Sequence, residues 1–401
     1  MNKIIQREEY LKLLKKFKDT EFIKVITGVR RSGKTYILQM FRDYLLEHEV
    51  KESQIIYLNF ESVKNKELLD WEKLYEYVVS RVIEDKKMYI FFDEIQKVEG
   101  WEQAINSFRV DFNSDIYITG SNASLLSGEL ATLLAGRYVE VHVYPLSFKE
   151  YLNFKNSDKN TELLFYQYIE EGGFPSVALS NNDKQVKNII SQGILDSILL
   201  RDVGARGDIR NEELLLRLTE YLMDSIGNPI SANKILGTFQ SDGLKIKNSQ
   251  GISKYMELLV NAFIFYHVKR YDLRGKERLK TLGKYYCVDT GLRNTLLNTS
   301  GTDNLGHQIE NIVYIELLRR GYSVNVGNYD KAEIDFVAKK DKNVIYIQVT
   351  SDIPKDDNRE TDNLKYLRDG YEKLILTANR MNVGMKDGIK VEHIIDWLLD
   401  Y

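Results

Sequence analysis

The sequence GVRRSGKT, at Gly28–Thr35, fits the pattern G-x-x-x-x-G-K-[ST] at every defined position. An apolar, β-branched segment precedes it at Phe22–Thr27, and a helical pattern follows it over Thr35–Glu47. In this setting the glycines let the backbone curl so that its N–H groups point inward, and the helix N-terminus adds a partial positive charge. We therefore predict that the segment is a loop that binds a phosphate chain.

The side chains of this loop have separate predicted roles. The ammonium group of Lys34 is expected to reach the β- and γ-phosphates, and the hydroxyl of Thr35 is expected to be a ligand of Mg²⁺. Two arginines make the loop basic, which suits a triphosphate such as ATP. The residues predicted to bind the nucleotide here are Gly28, Arg30, Arg31, Ser32, Gly33, Lys34 and Thr35.

A second motif, MYIFFDEI at Met88–Ile95, ends an apolar segment with two carboxylates. At the carboxyl end of a central strand, Asp93 is predicted to hold Mg²⁺ and Glu94 to polarise the attacking water. The alternative is that both side chains only cap the helix that follows. The phosphate-binding loop elsewhere in the chain favours the first interpretation.

Five short segments rich in β-branched and aromatic residues are predicted to be buried strands. They are Phe22–Thr27, Gln54–Phe60, Met88–Phe92, Asp115–Thr119 and Tyr138–Val143. Helical patterns lie between them, for example at Trp71–Glu84. The alternation of strand and helix predicts an α/β fold in which helices cover both faces of a parallel sheet.

The order of these motifs resembles that of the AAA+ and related ATPases that use a glutamate base. Further motifs resemble those of one group of prokaryotic AAA-type ATPases. The motifs shared with that group are GVRRSGKT, DEIQ at Asp93–Gln96, TGS, LAGR at Leu134–Arg137, YPLSFKE at Tyr144–Glu150 and GGFP at Gly172–Pro175. The resemblance implies an AAA fold that binds and hydrolyses ATP with Mg²⁺.

The resemblance also implies two further residues at the nucleotide. After the fourth predicted strand, Asn122 or Ser121 would sense the γ-phosphate, although turn chemistry alone also accounts for these residues. Arg137 directly precedes the fifth predicted strand. It would project into the nucleotide site of a neighbouring subunit and neutralise charge there; the alternative is a surface arginine with a local partner.

The middle of the chain resembles a winged helix-turn-helix. One short helix is predicted to start within Pro229–Lys234, and another within Gly251–Val268 runs on into an apolar strand. Residues 234–284 contain eleven basic and four acidic residues, which favours contact with duplex DNA. The alternative is a solvated charged hairpin in a domain that contacts protein. The basic residues of the predicted hairpin are Lys269, Arg270, Arg274, Lys276, Arg278 and Lys280.

The C-terminal part resembles a restriction-endonuclease core. Glu310 matches the helix glutamate of that core and Asp335 matches its strand aspartate, the carboxylates that would hold Mg²⁺. Where the core has E-x-K, this chain has Gln348, Val349 and Thr350. Because Gln348 is a weak ligand for a hard cation and Thr350 cannot replace an ammonium group, we expect the fold without nuclease activity. A binding scaffold or an oligomer contact is the expected role.

The composition is that of a soluble protein with several domains. The 401 residues are 43% hydrophobic and 29% charged, with a net charge of −3, which excludes general disorder and a uniformly basic nucleic-acid coat. The single cysteine, Cys287, excludes a disulfide scaffold. We predict no signal peptide, no membrane span and a cytoplasmic location. The predicted domains are an ATPase core at 1–150, a helical lid at 151–211, a winged helix at 212–298 and a nuclease-like domain at 299–401.

The sequence thus predicts an ATPase whose catalytic residues are Glu94, Lys34 and Arg137, in a homo-oligomer if Arg137 acts on a neighbouring subunit. Hydrolysis is expected to move the winged helix and the C-terminal domain, which engage DNA or a protein partner. Two alternatives stay open: a slow nucleotide-dependent switch that acts through protein contacts, and a nuclease controlled by ATP.

Overall fold

The computed structural model of the protein contains two compact units. The first ends at Val143 and also includes Asn261–Phe263; the second consists of Tyr144–Val260 and Ile264–Tyr401. The predicted lid, winged helix and nuclease-like domain lie almost wholly within the second unit. This division into two units does not separate them, so the four predicted domains stay a prediction. The structure describes residues 5–126, 134, 136–156, 160–180, 183–204, 211–273, 275, 277–278, 282–329, 332–354, 359–367 and 369–400.

The first unit is built on a parallel sheet, as the alternation of strands and helices predicts. Its strands are β1 (Ile23–Thr27), β2 (Ile55–Asn59), β3 (Met88–Asp93), β4 (Ser114–Thr119) and β5 (Tyr138–His142). They lie in the order β2-β3-β4-β1-β5, and every pairing is parallel. Strand β4 therefore lies between the strand that leads into the phosphate-binding loop and the strand that ends in the two carboxylates. The predicted α/β fold class is confirmed.

Apolar side chains form a core on each face of this sheet. The α-helices among the described residues of the unit are α1 (Glu8–Phe17), α2 (Lys34–Glu47), α3 (Trp71–Val79) and α4 (Trp101–Asp111). Helices α1 and α2 pack on one core, and α3 and α4 pack on the other. Strand β3 contributes Tyr89 and Phe91 to the first core but Ile90 and Phe92 to the second. Because successive strand residues face opposite sides, burial of both faces requires the unbroken apolar segment found here.

The second unit begins with helices. Those described after Val143 are α5 (Phe148–Lys155), α6 (Thr161–Glu171), α7 (Pro175–Ala178), α8 (Lys184–Ser197), α9 (Glu212–Asp224), α10 (Ala232–Ser241), α11 (Ser249–Asn261), α12 (Thr290–Leu297), α13 (Leu305–Arg319), α14 (Arg359–Lys365) and α15 (Ile394–Leu399). Helix α5 starts with a capping box, in which Ser147 and Glu150 each accept a hydrogen bond from the other's backbone N–H. This pair explains the S-F-K-E part of the YPLSFKE motif. Among the described residues, each helix is too short or too polar to span a lipid bilayer.

A small antiparallel sheet lies in the region where the sequence predicts a winged helix. Its strands are β6 (Pro229–Ile230), β7 (Phe265–Val268) and β10 (Gly283–Cys287), in the order β6-β10-β7. The two predicted short helices are present as α10 and α11. They begin at Ala232 and Ser249. The winged-helix fold and its function both stay predictions.

The C-terminal part contains a mixed sheet of eight strands. They are β8 (Arg270–Asp272), β9 (Glu277–Arg278), β11 (Ser323–Tyr329), β12 (Ala332–Lys340), β13 (Asn343–Thr350), β14 (Glu372–Thr377), β15 (Gly384–Lys386) and β16 (Ile389–His393). Their order is β15-β16-β14-β13-β12-β11-β8-β9. The sheet therefore includes the predicted charged hairpin, because β8 pairs with β11. The guanidinium group of Arg270 donates to Asn328 Oδ1, and Lys269 is exposed; Arg274, Lys276 and Lys280 lie outside the described residues.

The two glycines of the GGFP motif pack against the buried carboxylate of Asp289. Asp289 accepts hydrogen bonds from the backbone N–H groups of Gly173, at 2.6 Å, and Leu292, at 3.1 Å, and so caps helix α12. Gly172 has a φ of +76°, and a Cβ atom there would lie 2.0 Å from Asp289 Oδ1. Position 172 thus requires glycine for two reasons, its positive φ and the closeness of the Asp289 carboxylate. Burial raises the pKa of Asp289 to about 6.

Candidate functional site

The predicted phosphate-binding loop joins β1 to α2, and its two glycines adopt conformations that other residues rarely take. Gly28 has a φ of +135°, and a Cβ atom there would lie 2.2 Å from the carbonyl oxygen of Val143. Gly33 has a φ of +103° and directly precedes α2. The loop therefore curls as the motif requires and places the N-terminus of α2 at its end.

The ammonium group of Lys34 lies against this loop. Its Nζ donates to the carbonyl oxygens of Gly28, at 3.0 Å, and Val29, at 3.1 Å, and the side chain is buried. These acceptors are neutral, and a phosphate oxygen is a stronger acceptor for an ammonium group. The position of Lys34 therefore agrees with its predicted role in holding phosphate.

Asp93, at the end of β3, connects three other elements. Its Oδ2 accepts hydrogen bonds from Thr35 Oγ1, at 2.8 Å, and Asn59 Nδ2, at 2.9 Å, and its Oδ1 accepts one from Thr119 Oγ1 at 2.6 Å. Thr35 lies on α2, Asn59 on β2 and Thr119 on β4. Burial raises the pKa of Asp93 and Glu94 adds to the rise, while the hydrogen bonds from Thr119 and Thr35 act in the opposite direction.

The donor set around Asp93 fits Mg²⁺. The hydroxyl of Thr35 and the carboxylate of Asp93 place two oxygen atoms 2.8 Å apart, and Mg²⁺ in proteins is usually bound through one or two carboxylates together with substrate phosphates. A cation beside Asp93 would also favour the ionised carboxylate that burial disfavours. Thr35 and Asp93 are the residues that would hold the ion.

Glu94 adopts a strained backbone conformation next to Asp93. Its φ is +57°, its N–H donates to Thr119 Oγ1 at 2.9 Å, and its side chain makes no capping bond to the helical turn Ile95–Lys97. The carboxylate of Asp93 is likewise bonded to side chains rather than to that turn. The alternative that both residues serve as helix caps is therefore wrong. Instead, Gln96 Nε2 donates to Glu94 Oε2.

The remaining residues predicted for the site differ in how far they are buried. Ser32 is buried in the loop, Arg30 donates to Glu61 Oε1 at 2.7 Å, and Arg31 is exposed. Ser121 and Asn122 are both buried just beyond the end of β4. Arg137 is exposed at the start of β5. The structure thus brings together Lys34, Thr35, Asp93 and Glu94 and leaves Arg137 on the surface of its own subunit.

Four residues at this site do not appear in the sequence-based prediction. Asn59 and Thr119 end the strands on either side of β3, so the rule that identifies Asp93, a polar residue at the carboxyl end of a strand, also identifies them. Gln96 is a part of the DEIQ motif without an assigned role. Arg7 is buried and donates to the carbonyl oxygen of Ser32 at 3.0 Å, a contact that no sequence pattern indicates.

Comparisons with known proteins agree with this geometry. An AAA domain matches residues 20–152, and a domain of unknown function matches residues 162–303. An uncharacterised protein of Haemophilus influenzae is 47% identical over 99% of both chains. One of Methanocaldococcus jannaschii is 33% identical over 96% of this chain and 84% of its own. The chain belongs to this family of AAA-type P-loop ATPases.

A solved structure supports the fold of the AAA-type protein. The Walker-type ATPase of Pyrococcus abyssi superposes with a TM-score of 0.51 at 16% identity, covering 73% of this chain and 96% of its own. At that identity the likeness concerns the fold alone. Nucleotide binding at the loop is the general property that the family and the fold support.

Thr119 provides a test of the Asp93 network. Replacing it by valine removes a hydrogen bond to a charged group, which contributes about 1.5–3 kcal/mol. The pKa of Asp93, already raised, should rise further, so the acidic limb of the pH–rate profile for ATP hydrolysis should move to higher pH and the maximal rate should fall about ten-fold or more. Steady-state ATPase assays from pH 5 to 9 measure both effects.

The matched control is Thr119→Ser, which keeps the hydroxyl and should keep the position of the acidic limb. If Thr119→Val and Thr119→Ser have the same pH profile, the hydroxyl does not set the ionisation of Asp93.

Proposed function

We propose that the protein hydrolyses ATP with Mg²⁺ at the site formed by the phosphate-binding loop, Asp93 and Glu94. The observation that supports this most directly is the 2.8 Å hydrogen bond from Thr35 to Asp93. It joins two motifs that are 58 residues apart in sequence. The phosphate-binding loop and the carboxylate strand could each have a purely structural role if they lay apart. A nucleotide-bound cation requires a hydroxyl oxygen from the loop and a carboxylate oxygen from the strand close together.

In this proposal the chain contributes positioning and charge. Backbone N–H groups of the loop and the ammonium group of Lys34 hold the phosphates, and Thr35 and Asp93 hold Mg²⁺. The ion supplies charge neutralisation at the phosphates. Glu94 orients the attacking water and accepts its proton. In the present structure Gln96 Nε2 donates to Glu94 Oε2. An ionised carboxylate accepts several hydrogen bonds, so Gln96 can orient Glu94 while the attacking water binds to the same group.

Two substitutions separate binding from turnover. Lys34→Ala should abolish nucleotide binding, because it removes the only ammonium group that the loop sequence contains. Glu94→Gln should keep nucleotide affinity and lower the rate of hydrolysis by roughly 10²–10⁴-fold, the usual contribution of a general base. Fluorescent-nucleotide titration and phosphate release measure the two quantities.

Glu99→Gln is the matched control, because Glu99 is an exposed glutamate shortly after the motif and should leave both quantities unchanged. Normal hydrolysis by Glu94→Gln would show that another group is the base.

We also propose that Arg137 completes the site of a neighbouring subunit. It is exposed on its own subunit, and it stands in the part of the sequence where the family resemblance implies such an arginine. A guanidinium group supplied by a neighbour stabilises the charge of phosphoryl transfer and contributes about 10³–10⁵ in rate. Hydrolysis then requires an oligomer.

A mixing experiment tests the shared site. Arg137→Ala and Lys34→Ala should each be inactive alone, for different reasons. In mixed oligomers an intact loop from the first variant meets an intact arginine from the second, so mixing should restore ATP hydrolysis. Failure to restore it, at concentrations where analytical ultracentrifugation shows mixed oligomers, would exclude a role for Arg137 in the neighbour's site.

We further propose that the region 212–298 engages duplex DNA in a manner coupled to ATP hydrolysis. Several lysines of this region are solvent-exposed, whereas Asp242 and Glu257 are the exposed carboxylates of its described residues from 234 to 269. The exposed lysines are Lys234, Lys245, Lys247, Lys254 and Lys269. A surface of this kind attracts a polyanion through release of counterions.

A salt titration distinguishes DNA engagement from the switch hypothesis. The logarithm of DNA affinity should fall linearly with the logarithm of salt concentration, and DNA should stimulate ATP hydrolysis. Replacing Lys245, Lys247 and Lys254 by alanine should reduce the slope by about 0.9 for each phosphate group that the protein then leaves unneutralised.

The same substitution at three exposed lysines of the first unit serves as a control and should leave the slope unchanged. These lysines are Lys66, Lys73 and Lys86. Absence of both salt-dependent binding and stimulation would favour a switch that acts through protein contacts.

A further inference from the structure

The residues predicted to be the remnant of a nuclease site lie together in the second unit. Glu310 is on α13, Asp335 on β12 and Gln348 on β13. The backbone N–H of Asp335 donates to Gln348 Oε1 at 3.3 Å, and Asp335 Oδ2 accepts a hydrogen bond from Val349 N–H at 2.8 Å. All three predicted side chains are buried. The resemblance to a nuclease core is therefore reflected in their positions.

An ammonium group from a different part of the chain lies among these carboxylates. Lys284 Nζ is 3.1 Å from Glu310 Oε1, 2.9 Å from Glu333 Oε1 and 4.0 Å from Asp335 Oδ1. Tyr286 donates to the same oxygen of Glu310 at 2.6 Å. Lys284 and Tyr286 are alternate residues of β10, so both side chains point to one face of the three-stranded sheet.

These contacts do not fit a divalent cation. Glu310 Oε1 accepts from the ammonium group and the tyrosine hydroxyl, and Asp335 Oδ2 accepts from a backbone N–H group. The other oxygen of Asp335 lies 4.0 Å from Lys284 Nζ. The other oxygen of Glu310 faces Gly227, where even a Cβ atom would lie at 3.2 Å. A fixed positive charge at this distance also repels a cation. Among the described residues, no three His, Cys, Asp or Glu side chains are arranged to hold a metal.

We propose that Lys284 takes the place of the metal ion and is the permanent counter-ion of Glu310, Glu333 and Asp335. The cluster joins the three-stranded sheet to the eight-stranded sheet and does not hydrolyse DNA.

The charge of Lys284 agrees with this assignment. Burial lowers the pKa of Lys284, but Glu310, Asp335 and Glu333 outweigh burial and hold that pKa above its usual value, so the ammonium group stays charged. Burial, with the charge of Glu310, raises the pKa of Asp335 well above its usual range, against the opposing effect of Lys284. The ammonium group of Lys284 therefore opposes the cost of burying Asp335 without cancelling it.

The test compares the full-length protein with Lys284→Met, which keeps an unbranched apolar side chain but removes the ammonium group. The unfolding temperature of the unsubstituted protein should be the same in EDTA and in millimolar Mn²⁺. Lys284→Met should unfold at a temperature several degrees lower, and Mn²⁺ should raise that temperature again by occupying the place of the ammonium group. Differential scanning calorimetry without nucleotide measures these shifts, and electron paramagnetic resonance of Mn²⁺ counts the bound ion.

Two further variants keep the test decisive. Lys342→Met removes an exposed lysine of the same unit and should change neither stability nor Mn²⁺ binding. Lys284→Arg keeps the charge, so if Lys284→Met does not fold, a folded Lys284→Arg that binds no Mn²⁺ supports the proposal.

Three results would overturn the proposal. The first is Mn²⁺ binding by the unsubstituted protein that Glu310→Gln abolishes and Asp93→Asn does not. The second is nicking of plasmid DNA with Mg²⁺ or Mn²⁺ that Asp335→Asn abolishes. The third is an unfolding temperature of Lys284→Met equal to that of the unsubstituted protein. These outcomes are independent of ATP hydrolysis, since none requires nucleotide.

Discussion

The first unit depends on one buried carboxylate, Asp93, which bonds to Thr35, Asn59 and Thr119. Each partner ends a strand or begins a helix, so the carboxylate fixes the relative positions of three strand ends and the first turn of α2. A buried carboxylate without such donors is costly, and hydrogen bonds from neutral groups compensate only in part. Because these donors offset burial only in part, a cation at this edge of the sheet would stabilise the ionised carboxylate further.

Much of the first unit can be predicted from the sequence because its signals are local. The five predicted strands are present with ends that differ by one residue at most, since unbroken apolar segments are needed where both faces of a sheet are buried. The helix predicted over Trp71–Glu84 ends earlier, at Val79. Contacts between segments that are distant in sequence cannot be predicted in this way. Arg7 reaches the loop at Ser32 from 25 residues away, and nothing in the spacing of these residues indicates it.

The second unit shows the same limit more strongly. Gln348 and Thr350 depart from the nuclease pattern, and the sequence correctly indicates that a lysine is missing from that strand. It does not indicate that Lys284, on a strand about sixty residues earlier, brings an ammonium group to the same carboxylates. A pattern defined along one strand cannot find a side chain that the fold supplies from another sheet. The nuclease pattern therefore predicts where the carboxylates lie but not which positive charge contacts them.

The pairing of β8 with β11 has a consequence for how this protein can be divided. The sequence match to the domain of unknown function ends at residue 303, before Glu310, Glu333 and β11. A fragment that stopped there would lack β11, which pairs with β8, and the carboxylates that contact Lys284. Residues 162–303 therefore lack partners that their own strand and lysine contact, and a fragment meant to keep those contacts has to continue through β12.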